Sequence, residues 1–433
     1  MPGRQWRRTA RQLRSKHAWR IRVLFWGGAV LVGSVATALA VGSDWASELF
    51  NNVIADRPWL PFLITPAGLV LIAWLTRRFF PAAEGSGIPQ AIAMLRVRDD
   101  ATRQQVLGLR VGLFKGLMIV LGLACGASIG REGPTVHIAA SISYSLSRLA
   151  RFPHYVQDRG LILAGAAAGL SAAFNTPLAG VVFAIEEMSR SFEEHNSGVV
   201  MTAVIVAGMT ALAWQGNYNY FGSVNTDLPS LEAVVAVVLC GVVGGFAGGV
   251  FSLLLIRGGA HVAPLRAAHP YLFAIGCGVL LAGIGLLAAG ATFGTGYEEA
   301  RRVLAGGEDA GVFYPALKLA ATVVSYLSGI PGGIFAPSLS VGAGLGAELA
   351  PLIPSAPLVA MALLGMVGYF SGVVQSPITA VVIVMEMTDS HEMLLPLMGT
   401  SLLAAWVSRH VCPRPLYRAL ADGFMTRKTD PGH

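Results

Sequence analysis

Apolar residues in this chain run in long blocks. Blocks at 23–42, 60–76, 198–214, 233–255 and 272–292 approach about 20 residues each, the length an α-helix needs to cross the hydrocarbon core of a bilayer. Two further stretches, 161–188 and 358–387, are as apolar but carry internal polar breaks. The pattern predicts an all-α integral membrane protein in which some helices span and others are interrupted.

The blocks repeat. Residues 163–188 (LAGAAAGLSAAFNTPLAGVVFAIEEM) align without a gap on 363–388 (LLGMVGYFSGVVQSPITAVVIVMEMT) at an offset of 200. The coincidences of Pro177 with Pro377 and of Glu186 with Glu386 carry most of the weight. At an offset of 203, Lys115, Gly126, Gly130 and Pro134 match Lys318, Gly329, Gly333 and Pro337. Two duplicated halves in a membrane protein point to a transporter-type fold with a site at the repeat interface. The expected order is a basic segment at 1–22, a first repeat at 23–216, a polar linker at 217–230, a second repeat at 231–412, and a final helix and tail at 413–433.

Composition supports the bilayer. The 433 residues are 54% hydrophobic and 13% charged, with a mean hydropathy of +0.61; a soluble domain is about 25% charged. The net charge of +7 is concentrated at the start. Residues 1–22 hold Arg4, Arg7, Arg8, Arg11, Arg14, Lys16, Arg20 and Arg22 and no acid. Next to a span, that cluster reads as a cytoplasmic N-terminus rather than a nucleic-acid site, and Arg414, Arg418, Arg427 and Lys428 place the tail on the same side. The basic start, the apolar run and Ala38-Leu39-Ala40 mimic a secretory signal; the length of the run and the many later spans favour a retained first helix. The four cysteines (Cys125, Cys240, Cys277, Cys412) are far apart and predict no disulfide or metal framework.

Three Gly/Pro segments interrupt apolar sequence: GSGIP (85–89), GREGP (130–134) and GIFAP (333–337). Each ends in proline, which suits a first helical turn because no donor is lost there. Each therefore predicts a helix N-terminus preceded by open glycine backbone. Helix N-termini carry partial positive charge and unused N–H donors. Three that converge would hold an anion without a full positive charge, which would grip it too tightly to release it. Ser86 could add a hydroxyl donor or serve as an N-cap. Tyr417 could add another or anchor the membrane interface.

The acids divide by symmetry. Glu186 has a repeat partner and reads as structural. Glu187 faces Met387 in the other half, and Glu132 faces Phe335, so neither belongs to the shared frame. Intramembrane acids are costly and often relay protons. Glu132 could complement a helix dipole or pair with Arg131; it could also compete, when ionised, with an anion for the same N–H donors. Lys115 and Lys318 read as structural, paired with acids. His137 reads as a satisfied buried side chain. No HExxH or nucleophile set supports an enzyme.

Together, GSGIP at 85–89, GREGP at 130–134, GAAAGLSAAFNTPLAGVVFAIEEM at 165–188, GGIFAP at 332–337, EMTD at 386–389 and PLY at 415–417 resemble the CLC family of chloride channels and chloride/proton antiporters, in order and spacing across about residues 20–420. The resemblance implies two inverted-topology repeats of tilted and broken helices, a homodimer with one pore per subunit, and a multi-pass place in a cell membrane, here a bacterial inner membrane with both termini cytoplasmic. It implies a short prokaryotic-type member without the cytoplasmic regulatory domain pair. It assigns chloride, bound as substrate, to the hydroxyls of Ser86 and Tyr417 and the backbone N–H groups of Ile334 and Phe335. Gly85, Gly87, Ile88, Pro89, Gly130, Arg131, Gly133, Pro134, Gly333, Ala336 and Pro337 would form the supporting loops. Glu132 would be the gating and outer proton glutamate, and Glu187 the inner proton glutamate. Ser86 matches chloride-preferring members, where nitrate-preferring ones carry proline. Intact GREGP and Tyr417 argue against the fluoride-exporting branch. The implied activity is chloride/proton antiport, with a passive chloride channel as the alternative and no cofactor, metal or nucleic acid.

Overall fold

A computed structural model describes residues 16–150, 152, 159–189, 194–216, 219–224, 226, 228, 230–307 and 311–429. Arg4, Arg7, Arg8, Arg11 and Arg14 of the basic segment lie outside the described residues. The first half comprises α1 (Lys16–Ile54), α2 (Pro61–Phe79), α3 (Ile88–Arg96), α4 (Asp100–Leu107), α5 (Leu109–Ala124), α6 (Glu132–Leu146), α7 (Arg159–Phe174), α8 (Pro177–Phe183) and α9 (Glu194–Gln215). The second comprises α10 (Ser230–Leu253), α11 (Gly259–Ala268), α12 (Pro270–Leu287), α13 (Tyr297–Leu304), α14 (Tyr314–Leu327), α15 (Phe335–Leu349), α16 (Leu358–Val374), α17 (Pro377–Thr388), α18 (Leu394–Val411) and α19 (Leu416–Thr429).

The fold is all-α, and the apolar blocks become helices with shifted ends. α1 runs unbroken for 39 residues through Ala38-Leu39-Ala40. The 233–255 block lies in α10, which continues through a π-helical turn at Leu254–Gly258 into α11. The 272–292 block overshoots, because α12 ends at Leu287 and the chain turns through left-handed Ala289 and Gly290. The apolar pattern passes over one helical stretch long enough to span, Asp100–Ala124. Lys115 interrupts its hydrophobicity, but that side chain is buried within the protein.

α7 and α16 show why some apolar helices are short. They have 16 and 17 residues, about 24–26 Å of axial rise, less than the ~30 Å core they would have to cross. Nearly every residue of both is buried. A helix apolar all round that does not reach both faces must be enclosed by other helices. α16 packs between α15 and α10. At α10, a Cβ on Gly244 would lie 2.7 Å from the carbonyl carbon of Gly368, so glycine lets the two backbones touch.

The repeat is a structural one. α6 and α15 have the same length, 15 residues, and start 203 apart (335 minus 132). The halves exchange equivalent contacts. Glu186 accepts from the N–H groups of Ile378 (3.2 Å) and Thr379 (2.6 Å) at the start of α17. Glu386 accepts from those of Leu178 (3.0 Å) and Ala179 (2.7 Å) at the start of α8. Each glutamate thus complements the dipole of the other half's helix. Lys115 and Lys318 are structural, but their hydrogen bonds go to carbonyls rather than acids. Lys115 Nζ donates to Gly85 O (3.1 Å), and Lys318 Nζ donates to Thr292 O (2.9 Å) and Gly294 O (2.9 Å). A buried ammonium has three donors to satisfy, and loop carbonyls with no helical partner supply the acceptors.

Candidate functional site

The three Gly/Pro segments each lead into a helix: GSGIP into α3, GREGP into α6 and GIFAP into α15. They are laced together through their backbones. Gly130 N donates to Gly333 O (2.7 Å) and Gly333 N to Gly130 O (2.8 Å). Gly85 N donates to Ile330 O and Gly332 N to Gly85 O, both at 3.2 Å. All three helix starts are buried.

Ser86 is not an N-cap. Gly87 holds that position in α3, with no side-chain capping bond. The Ser86 hydroxyl is buried and has no protein hydrogen-bond partner. It packs so closely on Gly133 that a Cβ there would collide with its Oγ. Tyr417 lies in the first turn of α19, which packs on α3. Its hydroxyl is likewise buried and without a protein partner. Its complete burial does not fit an interfacial anchor. A buried polar group left unsatisfied costs about 1–3 kcal/mol, so two such hydroxyls beside helix N-termini mark a place for a ligand that accepts hydrogen bonds.

Glu132 is fully buried. Its Oε2 accepts from Ala336 N in the first turn of α15, at 3.4 Å. A Cβ on Gly130 would lie 2.6 Å from that oxygen, so glycine at 130 makes room for the carboxylate. The carboxylate therefore sits where an anion bound to α15 would sit. Arg131 does not close on it in an ion pair: its Nη1 donates to Ala40 O (2.7 Å) and to Asp44 Oδ1, tying GREGP to α1. These partners lie about ninety residues away in the chain, out of reach of any local pattern around GREGP.

Glu187 is buried in the π-helical turn Ala184–Ser189 that ends α8. Its Oε2 accepts from Ser376 Oγ at 2.5 Å. A small gap is lined by Glu187, Phe335, Ser376, Thr379 and Tyr417 among others. A separate cavity of about 720 Å³ is lined by Gly85, Tyr326, Ala419 and the Arg266–Glu84 ion pair (2.6 Å) among others. His137 is buried; its Nε2 meets Val106 O at 2.9 Å and its Nδ1 has no hydrogen-bond partner. It is half satisfied, not fully as expected.

Two residues at the site escaped sequence reading. One is Ser376, inside an apolar stretch. The other is Tyr220, from the segment read only as a linker, whose hydroxyl donates to Glu132 Oε1 at 3.5 Å. Among the described residues, no cluster of three or more His, Cys, Asp or Glu side chains could hold a metal ion.

Residues 68–409 match the family model described as voltage gated chloride channel. The H(+)/Cl(−) exchange transporter ClcA of Salmonella typhimurium is 30% identical over 431 residues, covering 95% of this chain and 90% of the relative. That of Salmonella typhi shows the same identity and coverage. The crystal structure of a slow cyanobacterial Cl−/H+ antiporter superposes with a TM-score of 0.79 at 24% identity, covering 95% of this chain and 99% of the other. A eukaryotic CLC transporter superposes with a TM-score of 0.75 at 23% identity, over 92% of this chain and 74% of the other.

Proposed function

This chain belongs to the voltage-gated chloride channel (CLC) family, and on that footing we propose that it is a chloride/proton antiporter in which chloride and the Glu132 carboxylate take turns at one site. The observation that carries this reading is the Glu132 carboxylate on the first turn of α15, close to two buried, unpartnered hydroxyls, Ser86 and Tyr417. Chloride is held by those hydroxyls and by the N–H groups of Ile334 and Phe335, which the helix start leaves without intrahelical acceptors. The donors are uncharged, so the anion is bound and still released. The backbone of Arg131 to Gly133 shapes the outer end of the path.

Coupling follows from mutual exclusion. Ionised, Glu132 is an anion and takes the helix N-terminus. Protonated, it loses the charge that held it there and yields to chloride. Each exchange of occupants therefore moves a proton against a chloride. Glu187 delivers protons from the other side, oriented by the Ser376 hydroxyl. The names of the 30%-identical relatives, H(+)/Cl(−) exchange transporters, agree with this reading.

The protein works as a homodimer with a separate pore in each subunit, in a bacterial inner membrane with both termini cytoplasmic. Residues 23–216 and 231–412 form its two repeats, and 217–230 joins them. In proteoliposomes monitored with chloride and pH electrodes together, an outward chloride gradient drives proton uptake. Chloride efflux with no proton movement at any pH would leave a passive channel and end the antiport reading.

A further inference from the structure

The segment 219–224 between the repeats is fastened to the second half, through Ser223 Oγ to Asp389 Oδ2 (3.3 Å) and through three further hydrogen bonds. Phe221 N donates to Met387 O (3.0 Å) and Val224 N to Thr388 O (2.8 Å), at the end of α17. Tyr297 at the start of α13 donates its hydroxyl to Tyr220 O (2.8 Å). The Tyr220 ring is buried, edge-on to Phe174 (5.2 Å), Phe221 (4.9 Å) and Tyr297 (4.9 Å). Its hydroxyl reaches the first half's Glu132.

We propose that Tyr220 is a positioning residue for Glu132: its hydroxyl holds the ionised carboxylate in the anion path and lets it go on protonation. Tyr220 donates to Oε1 of the carboxylate and Ala336 N to Oε2, and the backbone N–H of Glu132 itself also donates to it. The Tyr220 and Ala336 contacts are long, 3.5 and 3.4 Å, which suits a group that must be released in each cycle. A hydrogen bond to an ionised acceptor is roughly twice as strong as one to a neutral acceptor. The hydroxyl therefore weakens its hold when Glu132 gains a proton. The charged groups facing this carboxylate are Arg131 and Asp44, and Arg131 is already bound to Asp44 and α1. The Tyr220 phenol donates directly to the carboxylate, so its hold distinguishes the two protonation states.

The inference rests on the antiport reading for its consequence, but its first test does not. Tyr220→Phe keeps the ring packing and removes the hydroxyl. Chloride competes with the carboxylate, so calorimetric chloride binding to Tyr220→Phe shows a Kd lower by about three- to ten-fold. In a Glu132→Ala background the same substitution leaves the Kd unchanged. In liposomes, Tyr220→Phe moves fewer protons per chloride than the unaltered protein. An unchanged Kd overturns the proposal, as does an equal drop in the Glu132→Ala background, which would show that Tyr220 acts on chloride without Glu132. If Tyr220→Phe fails to fold, Tyr297→Phe decides: it frees the Tyr220 carbonyl and lowers the Kd in the same direction by a smaller factor, and no change overturns the idea. If the unaltered protein moves no protons while the binding results hold, the antiport reading fails and the Tyr220 assignment stands.

Discussion

Glu132 and Glu187 are both buried acids without a repeat counterpart, yet they face different partners. Glu132 faces a helix N-terminus and a phenol, the surroundings of a displaceable anion; Glu187 faces a serine hydroxyl beside a narrow gap. Glu132→Gln and Glu132→Ala are expected to abolish proton movement while chloride still passes, read with paired electrodes; retained coupling in either would remove Glu132 from the role. Glu187→Gln is expected to uncouple protons too, whereas normal proton pumping would move its function elsewhere. Ser86→Ala is expected to weaken chloride binding by roughly ten- to a hundred-fold, the worth of one hydrogen bond to a charged acceptor, measured by calorimetry. Ser86, Glu132 and Tyr417 were legible because each sits in a local Gly/Pro or RPLY signature. Tyr220 was not, because NYNYFGSVN has the composition of an ordinary loop and its target is 88 residues away. Ser376 was hidden for a related reason: a single serine in an apolar run reads as a tolerated small residue.

At the scale of elements, proline and glycine gave the three helix starts, since those residues act within a turn or two. They did not tell how the starts meet, which is fixed by backbone bonds between Gly130 and Gly333 and between Gly85 and Gly332. The Glu186 and Glu386 pairing was visible as a coincidence in the repeat, but its content was not: each reaches the partner half's helix. Glu186→Ala leaves two N–H groups and the Thr379 hydroxyl at α17 without their acceptor. It should lower stability by about 1–3 kcal/mol, seen as an earlier thermal unfolding in detergent, with an unaltered proton-to-chloride ratio in the folded fraction. Glu386→Ala should cost a similar amount. If either changes the ratio and leaves stability alone, the glutamate is part of the transport path and not of the frame.

For the whole molecule, apolar run lengths and the duplication were enough to give an all-α membrane protein in two halves. Helix ends and the spanning stretch at 100–124 were not, because a charge such as Lys115 breaks a hydropathy run even when folding buries it on carbonyls. If each subunit has its own pore, a dimer mixing unaltered and Glu132→Ala subunits carries the sum of a coupled and an uncoupled flux; a single blended ratio would point to a shared pore. The central claim, that chloride and a proton-carrying carboxylate exclude each other at one site, is tested most directly by the reversal potential of the purified protein in a bilayer under symmetrical chloride and a pH gradient. The account predicts a potential that shifts with the gradient and a shift that vanishes in Glu132→Ala. A potential indifferent to pH in the unaltered protein would contradict it.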